Sequence, residues 1–306
     1  MSNKSDDPNA SRSGLVAGLI AYSLWGVFPI YFKLVAAVPP AEVLMHRIVW
    51  AVPFGALIVL FRKQWPEVRR ALTHRSTVWW LALSALIITV NWFIYIWAVI
   101  NERIFETSLG YYINPLMLVL VGVLFFNERL RPLQIFAVVA ATIGVTVLAV
   151  SGGEFPWVAL SLGALFTCYG VIRKRVAVGA MPGLFVETTL LFPLAFVPLV
   201  WLTYSGSAAF GSGDTSLNVL LLLAGPVTVM PLLLFAVAAR KVTLTMVGFM
   251  QFLAPTLQFL IGVYYGEELT TAHLICFGSI WTAVALFSID AFRSTKKPPM
   301  ETPARA

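Results

Sequence analysis

Long apolar stretches alternate with short polar segments along the whole chain. The apolar stretches are continuous and lack the two-residue alternation of a strand with one polar face. A helix needs about 20 apolar residues to cross the hydrocarbon core of a bilayer. The pattern therefore predicts an all-α polytopic membrane protein. Its ten transmembrane helices are expected at approximately residues 14–35, 43–61, 78–100, 108–126, 132–150, 155–172, 185–204, 217–238, 243–265 and 272–291.

The composition excludes a soluble globular protein. Hydrophobic residues make up 59% and charged residues 11% of the 306 residues, whereas a soluble domain has about 45–50% and about 25%. Disorder requires low hydrophobicity and high charge, so it is excluded as well. Ten helices with short loops use nearly the whole chain and leave no room for a separate soluble catalytic domain.

The basic residues are distributed unevenly, and they predict the orientation of the chain. Cytoplasmic loops of membrane proteins are enriched in Lys and Arg. With a cytoplasmic N-terminus, Arg103 is the basic residue of the outer loops, Lys33 and Arg47 lie within helices, and the other 18 of the 21 fall inside. We therefore expect both termini in the cytoplasm, with polar tails at residues 1–13 and 293–306. The net charge of +7 then reflects topology and does not indicate nucleic-acid binding.

The two halves of the chain resemble each other. WAVINERI (97–104) matches FAVAARKV (235–242), and NPLMLVLVGV (114–123) matches APTLQFLIGV (254–263) with prolines and glycines in register. Chance similarity between apolar helices is the alternative. The matching positions of proline and glycine favour a repeat of residues 14–150 by residues 155–292. Because each half has five helices, the second half crosses the membrane in the opposite sense. Inverted repeats are common in alternating-access transporters.

Several segments resemble one family of membrane proteins. They are WGVFPIYFK (25–33), HRIVW (46–50), NWFIYIWAV (91–99), SLGYYINPL (108–116) and GFMQFLAPTLQF (248–259). These segments resemble the RarD-type permeases of the EamA group, within the drug/metabolite transporter superfamily, and the resemblance covers roughly residues 14–292. It implies ten helices in two five-helix repeats and an inner-membrane permease or exporter. The RarD name carries an association with chloramphenicol sensitivity, but the resemblance implies a functional class and no ligand.

Polar side chains inside the predicted helices are candidates for a substrate site, because they are costly in lipid. Asn91 and Tyr95 are four residues apart in the third helix, where Asn91 either lines a cavity or links helices through a hydrogen bond. Tyr111 and Asn114 precede a proline of the fourth helix, and Gln251 precedes the matching proline of the ninth. A proline frees a carbonyl that a neighbour or a cavity must satisfy. We expect these five residues to converge near the bilayer midplane and bind a small-molecule substrate.

Two cations and two tryptophans extend the candidate site toward its outer mouth. Lys33 either snorkels to the headgroups or faces the cavity, where it would hold a carboxylate. Arg47 either forms a structural ion pair or contacts substrate, and Trp25 and Trp50 would give the cavity aromatic walls. The acids expected near the same surface as Arg47 are Glu42, Glu102 and Glu106.

Glu187 is the acidic residue that a proton-coupled transporter would use. Its repeat partner Glu42 starts the second predicted helix at the outer surface. Inverted symmetry therefore places Glu187 near the inner surface at the start of a helix, where a carboxylate also suits the helix dipole. Proton coupling stays open at this point, as does the energy source.

The chain carries no catalytic or cofactor motif. The P-loop, H-E-x-x-H and G-x-S-x-G patterns are absent, and Cys168 and Cys276 lack metal-ligand spacing. G-x-G-D at 211–214 resembles part of an intramembrane aspartyl protease, but such chemistry needs two neighbouring carboxylates, and Asp290 is expected on the opposite side. We expect a monomeric secondary transporter in the lipid bilayer, with no enzyme activity, cofactor or nucleic-acid partner. A non-transporting scaffold or sensor is the alternative.

The orientation predicts which loops react with a membrane-impermeant thiol reagent. In a variant with Cys168 and Cys276 replaced by Ser, single cysteines at positions 205–215 should be labelled in intact cells. Cysteines at positions 62–77 should be labelled only after the membrane is opened, because the basic residues of that segment hold it inside. The reverse labelling pattern would contradict the ten-helix arrangement.

Overall fold

A computed structural model describes residues 8–126, 130–151, 155–239, 241–242, 246–247 and 250–295. Every regular element in these residues is helical, which confirms the all-α class. The helices are α1 (Pro8–Gly26), α2 (Phe28–Leu34), α3 (Pro40–Phe61), α4 (Trp65–Thr73), α5 (Arg75–Ile100), α6 (Ile104–Phe126), α7 (Pro132–Ser151), α8 (Trp157–Arg175), α9 (Ala180–Tyr204), α10 (Thr215–Ala238), α11 (Leu253–Tyr264) and α12 (Thr271–Thr295).

Seven segments of the described residues are long and apolar enough to cross a bilayer. They are Arg12–Leu34, Pro40–Phe61, Arg75–Ile100, Pro132–Ser151, Ala180–Tyr204, Thr215–Ala238 and Thr271–Asp290. Helices α6 and α8 cover the predicted fourth and sixth crossings, and the short apolar helix α11 covers the second part of the ninth. Residues 243–245 and 248–249 of that crossing lie outside the described residues. The count of ten therefore stays a prediction.

Local sequence explains where several helices begin. A proline occupies the first turn of α2, α3 and α4, where its missing N–H would have no partner within the helix. The Asp214 side chain accepts a hydrogen bond from the N–H of Leu217 at 3.1 Å and so caps α10. Gly211 and Gly213 have φ values of +85° and +98°, which favour glycine. The G-x-G-D segment is thus a turn followed by a helix cap.

The helices form two compact units. The first comprises residues 1–114 and 157–268, and the second comprises residues 115–156 and 269–306. Within the first unit, α3 packs against α9 and α10, α1 packs against α10, and α5 packs against α8. Its core includes Phe32, Tyr95, Ile96 and Leu162. Within the second unit, α7 packs along α12.

Glycines permit the closest helix contacts in each unit. In the first unit, a Cβ added at Gly225 of α10 would overlap the backbone carbonyl of Trp50 on α3. In the second unit, a Cβ added at Gly144 of α7 would lie 3.1 Å from the Cys276 carbonyl oxygen. Small residues let helix backbones approach in this way inside membranes, where dispersion contacts hold helices together.

Replacing Gly225 by Ala should lower the thermal unfolding temperature in detergent. The added methyl group would meet the Trp50 carbonyl, and overpacking of this kind costs about 1–3 kcal/mol. Gly170→Ala on α8 is the matched control, because nothing lies within 4 Å of its added Cβ. That control gains helix propensity of up to about 1 kcal/mol and meets no obstacle. Equal unfolding temperatures for the two variants would contradict the close crossing of α3 and α10.

Candidate functional site

Arg47 of α3 has its side chain buried among aromatic rings in the first unit. The residue is 3% exposed. Its Cζ lies 4.4 Å from the ring centroid of Trp92, 5.4 Å from that of Phe32 and 5.9 Å from that of Phe28. Its Nε donates a hydrogen bond to Oγ1 of Thr228 at 3.1 Å. Aromatic faces attract a cation more strongly where water is excluded, so these rings stabilise the guanidinium in place.

The structure gives Arg47 no acidic partner. Among the residues that it describes, no carboxylate oxygen lies within 4 Å of the Arg47 guanidinium, so the structural ion pair considered from the sequence is wrong. The three glutamates expected nearby have other partners. These are the N–H groups of residues 209 and 210 for Glu42, Lys33 for Glu102, and Arg103 for Glu106.

Two asparagines link neighbouring helices to α8. Asn91 of α5 is fully buried, and its Nδ2 donates to the carbonyl oxygen of Leu162 at 3.1 Å. Its Oδ1 accepts a hydrogen bond from the Tyr111 hydroxyl at 3.4 Å. Asn114 of α6 accepts a hydrogen bond from the Thr167 hydroxyl at 2.7 Å. In this conformation Asn91 therefore links helices, which was one of the two roles that its position predicted.

The Tyr95 ring lies between the residues bonded to Asn91 and the aromatic rings around Arg47. Its ring centroid lies 5.8 Å from that of Tyr111 and 5.8 Å from that of Phe32. Tyr95 and Tyr111 both lie within electrostatic range of the Arg47 guanidinium. The Tyr95 hydroxyl is buried without a partner in good hydrogen-bond geometry among the described residues. Asn91, Tyr95, Tyr111 and Arg47 thus lie in one cluster, to which Asn114 is joined through α8.

The two candidate tryptophans have aromatic or histidine neighbours, and Trp25 also packs against the core that contains Phe32 and Tyr95. Trp25 packs against aromatic rings of α1 and α10 with centroid separations of 5.3 and 5.9 Å. Trp50 donates through Nε1 to Nδ1 of His46 at 3.0 Å. Gln251 is half-buried. The expected convergence of five candidates near the bilayer midplane stays a prediction for Asn91, Tyr95, Tyr111, Asn114 and Gln251.

Lys33 lies near the end of α2, in an ion pair, and its side chain is 15% exposed. Its Nζ is 3.7 Å from Oε1 of Glu102, whose side chain is 80% exposed. The same Nζ lies 5.7 Å from the ring centroid of Tyr265. A pair with one strongly exposed partner contributes about 0–1 kcal/mol. Lys33 therefore has a carboxylate partner from the protein, which Arg47 lacks.

Glu267 holds the start of α6. Its two carboxylate oxygens accept hydrogen bonds from the N–H groups of Ile104 and Phe105, at 2.6 and 2.9 Å. Burial raises the pKa of the Glu267 carboxyl above its ordinary value, while the two N–H groups and nearby Lys33 act in the opposite direction. Sequence reasoning missed this contact, because Glu267 and Ile104 are far apart in the chain.

Glu187 was expected at the start of a helix, and that expectation is wrong. Helix α9 begins at Ala180 and not near residue 185, so Glu187 lies about two turns inside it. The residue is 1% exposed, and its carboxylate accepts hydrogen bonds from the hydroxyls of Ser84 at 2.6 Å and Tyr169 at 3.3 Å. It also lies 3.6 Å from Nε of Arg173. This buried carboxylate is therefore paired within the protein.

Sequence reasoning also missed the residues that surround Arg47. Phe28 and Phe32 are four residues apart and so share one face of α2, which is a weak signal in a chain with 22 phenylalanines. Trp92 directly follows the candidate Asn91. Thr228 is revealed only by the packing of α10 against α3.

A cavity of about 210 Å³ lies elsewhere in the first unit. It is bounded by the turn after α3, the start of α9 and the end of α10. Its lining residues are Arg62, Gln64, Gly179, Ala180, Met181, Phe235, Ala236 and Ala239. The volume is below the roughly 300–1,000 Å³ of a typical ligand pocket. None of its lining residues belongs to the Arg47 cluster, so the two are separate.

The chain is similar to known membrane transporters. Residues 12–150 match the model of the EamA-like transporter family. The chain is 46% identical to an uncharacterized transporter of Pseudomonas aeruginosa, over 94% of this chain and 97% of that protein. It is 39% identical to Protein RarD of Escherichia coli, over 95% and 99%. It is 33% identical to the chloramphenicol-sensitive protein RarD of Pseudomonas aeruginosa, over 94% and 97%.

A similar fold is found among solved crystal structures. One of them covers 94% of this chain and 99% of its own chain, with a TM-score of 0.59 and 21% sequence identity. At that identity the likeness supports the fold alone.

Replacing Asn91 by Leu should lower the thermal unfolding temperature in detergent. The substitution removes the hydrogen bond to the Leu162 carbonyl between α5 and α8, and interhelical hydrogen bonds in membranes contribute about 0.6–2 kcal/mol. Thr89→Val is the matched control, because its hydroxyl bonds only the Ala85 carbonyl of the same helix. An Asn91→Leu variant that is as stable as the control would show that the amide does not hold these helices together.

Proposed function

Because the chain belongs to the RarD-type permeases of the EamA-like transporter family, we propose that it carries a small molecule across the bacterial inner membrane by alternating access. The observation that supports this best is the polar and aromatic cluster around Arg47. Its hydrogen bonds join the two predicted halves of the chain. They run from Arg47 to Thr228, from Asn91 to Leu162, and from Thr167 to Asn114.

The helix contacts of the first unit support two inverted repeats. In the proposed repeat, the α1–α2 segment corresponds to α8, α3 corresponds to α9, and α5 corresponds to α10. The packing of α1 against α10 then has its counterpart in that of α8 against α5. The packing of α3 against α10 likewise corresponds to that of α9 against α5. Substrate sites of inverted-repeat transporters lie at the interface between repeats, and the Arg47 cluster has that position.

The contacts at the ends of the helices support a conformation closed on the proposed outer side. There the Glu42 carboxylate accepts hydrogen bonds from the N–H groups of residues 209 and 210. The Glu267 carboxylate accepts hydrogen bonds from those of residues 104 and 105. The cavity of about 210 Å³ lies beside Arg62 and Gln64, on the proposed cytoplasmic side. Transport would require the outer contacts to break when the inner end closes.

Flux across purified proteoliposomes tests the proposed function. The panel contains small amphipathic metabolites and also chloramphenicol, because one relative is named a chloramphenicol-sensitive protein. Uptake and efflux are measured with and without a pH gradient. A carrier shows counterflow without net current, whereas a channel carries current. A protein that moves no compound of a broad panel would favour the alternative of a scaffold or sensor.

Cross-linking α3 to α9 should stop transport. A Cβ at Gly55 would lie 3.8 Å from the Cβ of Phe185, which matches the mean of about 3.8 Å in disulfides. A Gly55→Cys/Phe185→Cys variant with Cys168 and Cys276 replaced by Ser should therefore oxidise readily. Its flux should fall to background and return after reduction, because the disulfide fixes the two halves.

Each single-cysteine variant is the control for that experiment and should transport with or without oxidant. Full flux by the cross-linked protein would show that α3 and α9 do not move apart at this level.

A further inference from the structure

We propose that Arg47 is the anion-binding residue of this transporter and that its substrate is a small organic monocarboxylate with a flat apolar body. The inference rests on the proposed transport function and adds a substrate class to it. It follows from the hydrogen bonds that Arg47 lacks, from the contrast with other cations of the chain, and from the aromatic residues around the guanidinium.

The Arg47 cation is buried and uncompensated. A guanidinium has five N–H donors, and the hydrogen bond to Thr228 uses the one on Nε. Among the described residues, the two terminal nitrogens make no hydrogen bond and face no carboxylate within 4 Å. Removing an ion from water costs several kcal/mol even after relaxation. Cation–π contacts offset part of that but leave the terminal N–H groups without acceptors.

Other cations of the same chain are paired. Nε of Arg173 lies 3.6 Å from the Glu187 carboxylate, and its Nη2 donates to the carbonyls of Val178 and Gly179 at 3.4 and 3.2 Å. Lys33 lies 3.7 Å from Glu102. Arg173 therefore has a carboxylate from the protein, although its Nη1 has no hydrogen-bond partner among the described residues. Arg47 lacks one, which is the arrangement expected when the ligand supplies it.

The free nitrogens of Arg47 select a carboxylate. The hydrogen bond from Nε to Thr228 fixes the orientation of the guanidinium plane, and the planar fork matches a carboxylate with two parallel hydrogen bonds. Arg47 is the cation of the cluster among the described residues, and Lys33 is paired with Glu102 near the end of α2. One cation among aromatic rings would compensate a single negative charge and leave a dianion such as a phosphate monoester unbalanced.

The surroundings of Arg47 select a flat apolar body. Trp92 and Phe32 face the guanidinium, and the rings of Tyr95 and Tyr111 lie 5.8 Å apart next to them. Aromatic walls favour stacked or edge-on planar groups. The Tyr95 hydroxyl lies beside the Thr107 side chain without a hydrogen bond of good geometry, so it can donate one to a bound oxygen. Because Arg47 is 3% exposed here, the substrate enters when the helices around it separate.

A charge series on one carbon skeleton tests the wild-type protein. The probes are 3-phenylpropionate, 3-phenylpropanamide and 3-phenylpropylamine, and their binding to the purified protein in detergent is measured by calorimetry and by thermal shift. We expect the carboxylate to bind about 10- to 100-fold more tightly than the amide, which is the range for a hydrogen bond to a charged group, and the amine to bind least. Equal binding of the three probes, or binding of none, would overturn the proposal.

Variants assign the preference to Arg47. Arg47→Met should reduce the carboxylate-to-amide ratio to about one, and Arg47→Lys should keep part of it, because the charge remains but the fork is lost. Arg131→Gln is the control, since Arg131 pairs with Asp290 in the second unit, and it should keep the full ratio. An unchanged ratio in Arg47→Met would overturn the proposal.

Stability without ligand separates this role from a structural one. Arg47→Met should unfold at the same or a higher temperature than wild type, because the change removes a buried charge that has no partner. Arg173→Met should unfold at a lower temperature, because it leaves the Glu187 carboxylate unpaired. If Arg47→Met loses as much stability as Arg173→Met, Arg47 is structural and the proposal fails.

Two further results distinguish this proposal from its premise. Arg47-dependent binding of 3-phenylpropionate without flux in proteoliposomes would support the anion site and contradict transport. Flux of the panel compounds without charge preference would support transport and overturn the anion site. If phosphatidylglycerol in mixed micelles shows the Arg47-dependent binding instead of 3-phenylpropionate, the anion is a lipid headgroup and the substrate class is wrong.

Discussion

The structure depends on one constraint, which is that polar groups in an apolar solvent must find partners inside the protein. Carboxylates satisfy this constraint by accepting hydrogen bonds from backbone N–H groups that are distant in sequence. Glu67 accepts one from the N–H of Gly179 at 2.7 Å. Glu42 and Glu267 accept hydrogen bonds from the N–H groups of residues 209–210 and 104–105. Each bond joins segments more than 100 residues apart, so the helix ends are held by contacts that no helix makes alone.

The same constraint allows movement in the centre. Asn91 makes two interhelical hydrogen bonds and Asn114 makes one, and each such bond contributes only about 0.6–2 kcal/mol in membranes. A few of them can be exchanged for contacts with a substrate without unfolding the bundle. Apolar packing between α3 and α10, which is close at Gly225, provides the stability that these bonds do not.

The sequence predicts the parts of this structure that depend on local pattern. Apolar runs of membrane length locate the helices, and the four-residue spacing places Asn91 and Tyr95 on one face, where the structure joins both to Tyr111. The apolar run predicts a helix start at about residue 185, whereas α9 begins at Ala180. A proline is tolerated in the first turn of a helix, and here α9 includes Pro182. That error moved Glu187 from the helix interior to its end.

The partners of Arg47 and Glu187 could not be predicted, because they depend on which helices pack together. At the sequence level both are ionisable residues in apolar runs. The structure separates them, since α8 provides Arg173 for Glu187, whereas α10 provides a hydroxyl for Arg47. The aromatic residues around Arg47 gave only a weak signal, because aromatic side chains make up 13% of the chain and are common throughout membrane helices.

The proposed repeat relates Arg47 to an aromatic residue in the second half of the chain. The offset that relates Glu42 to Glu187 relates Arg47 to Phe192, whose ring stacks on that of Phe196 at 5.0 Å. An inverted repeat brings equivalent positions of its two halves to opposite sides of one central site. In the proposed repeat, one half would provide a cation and the other a phenyl ring, so the proposed site would have charge on one side only. A symmetric pair of arginines would suit a dianion, whereas this proposed asymmetry suits a molecule with an anionic end and an apolar end.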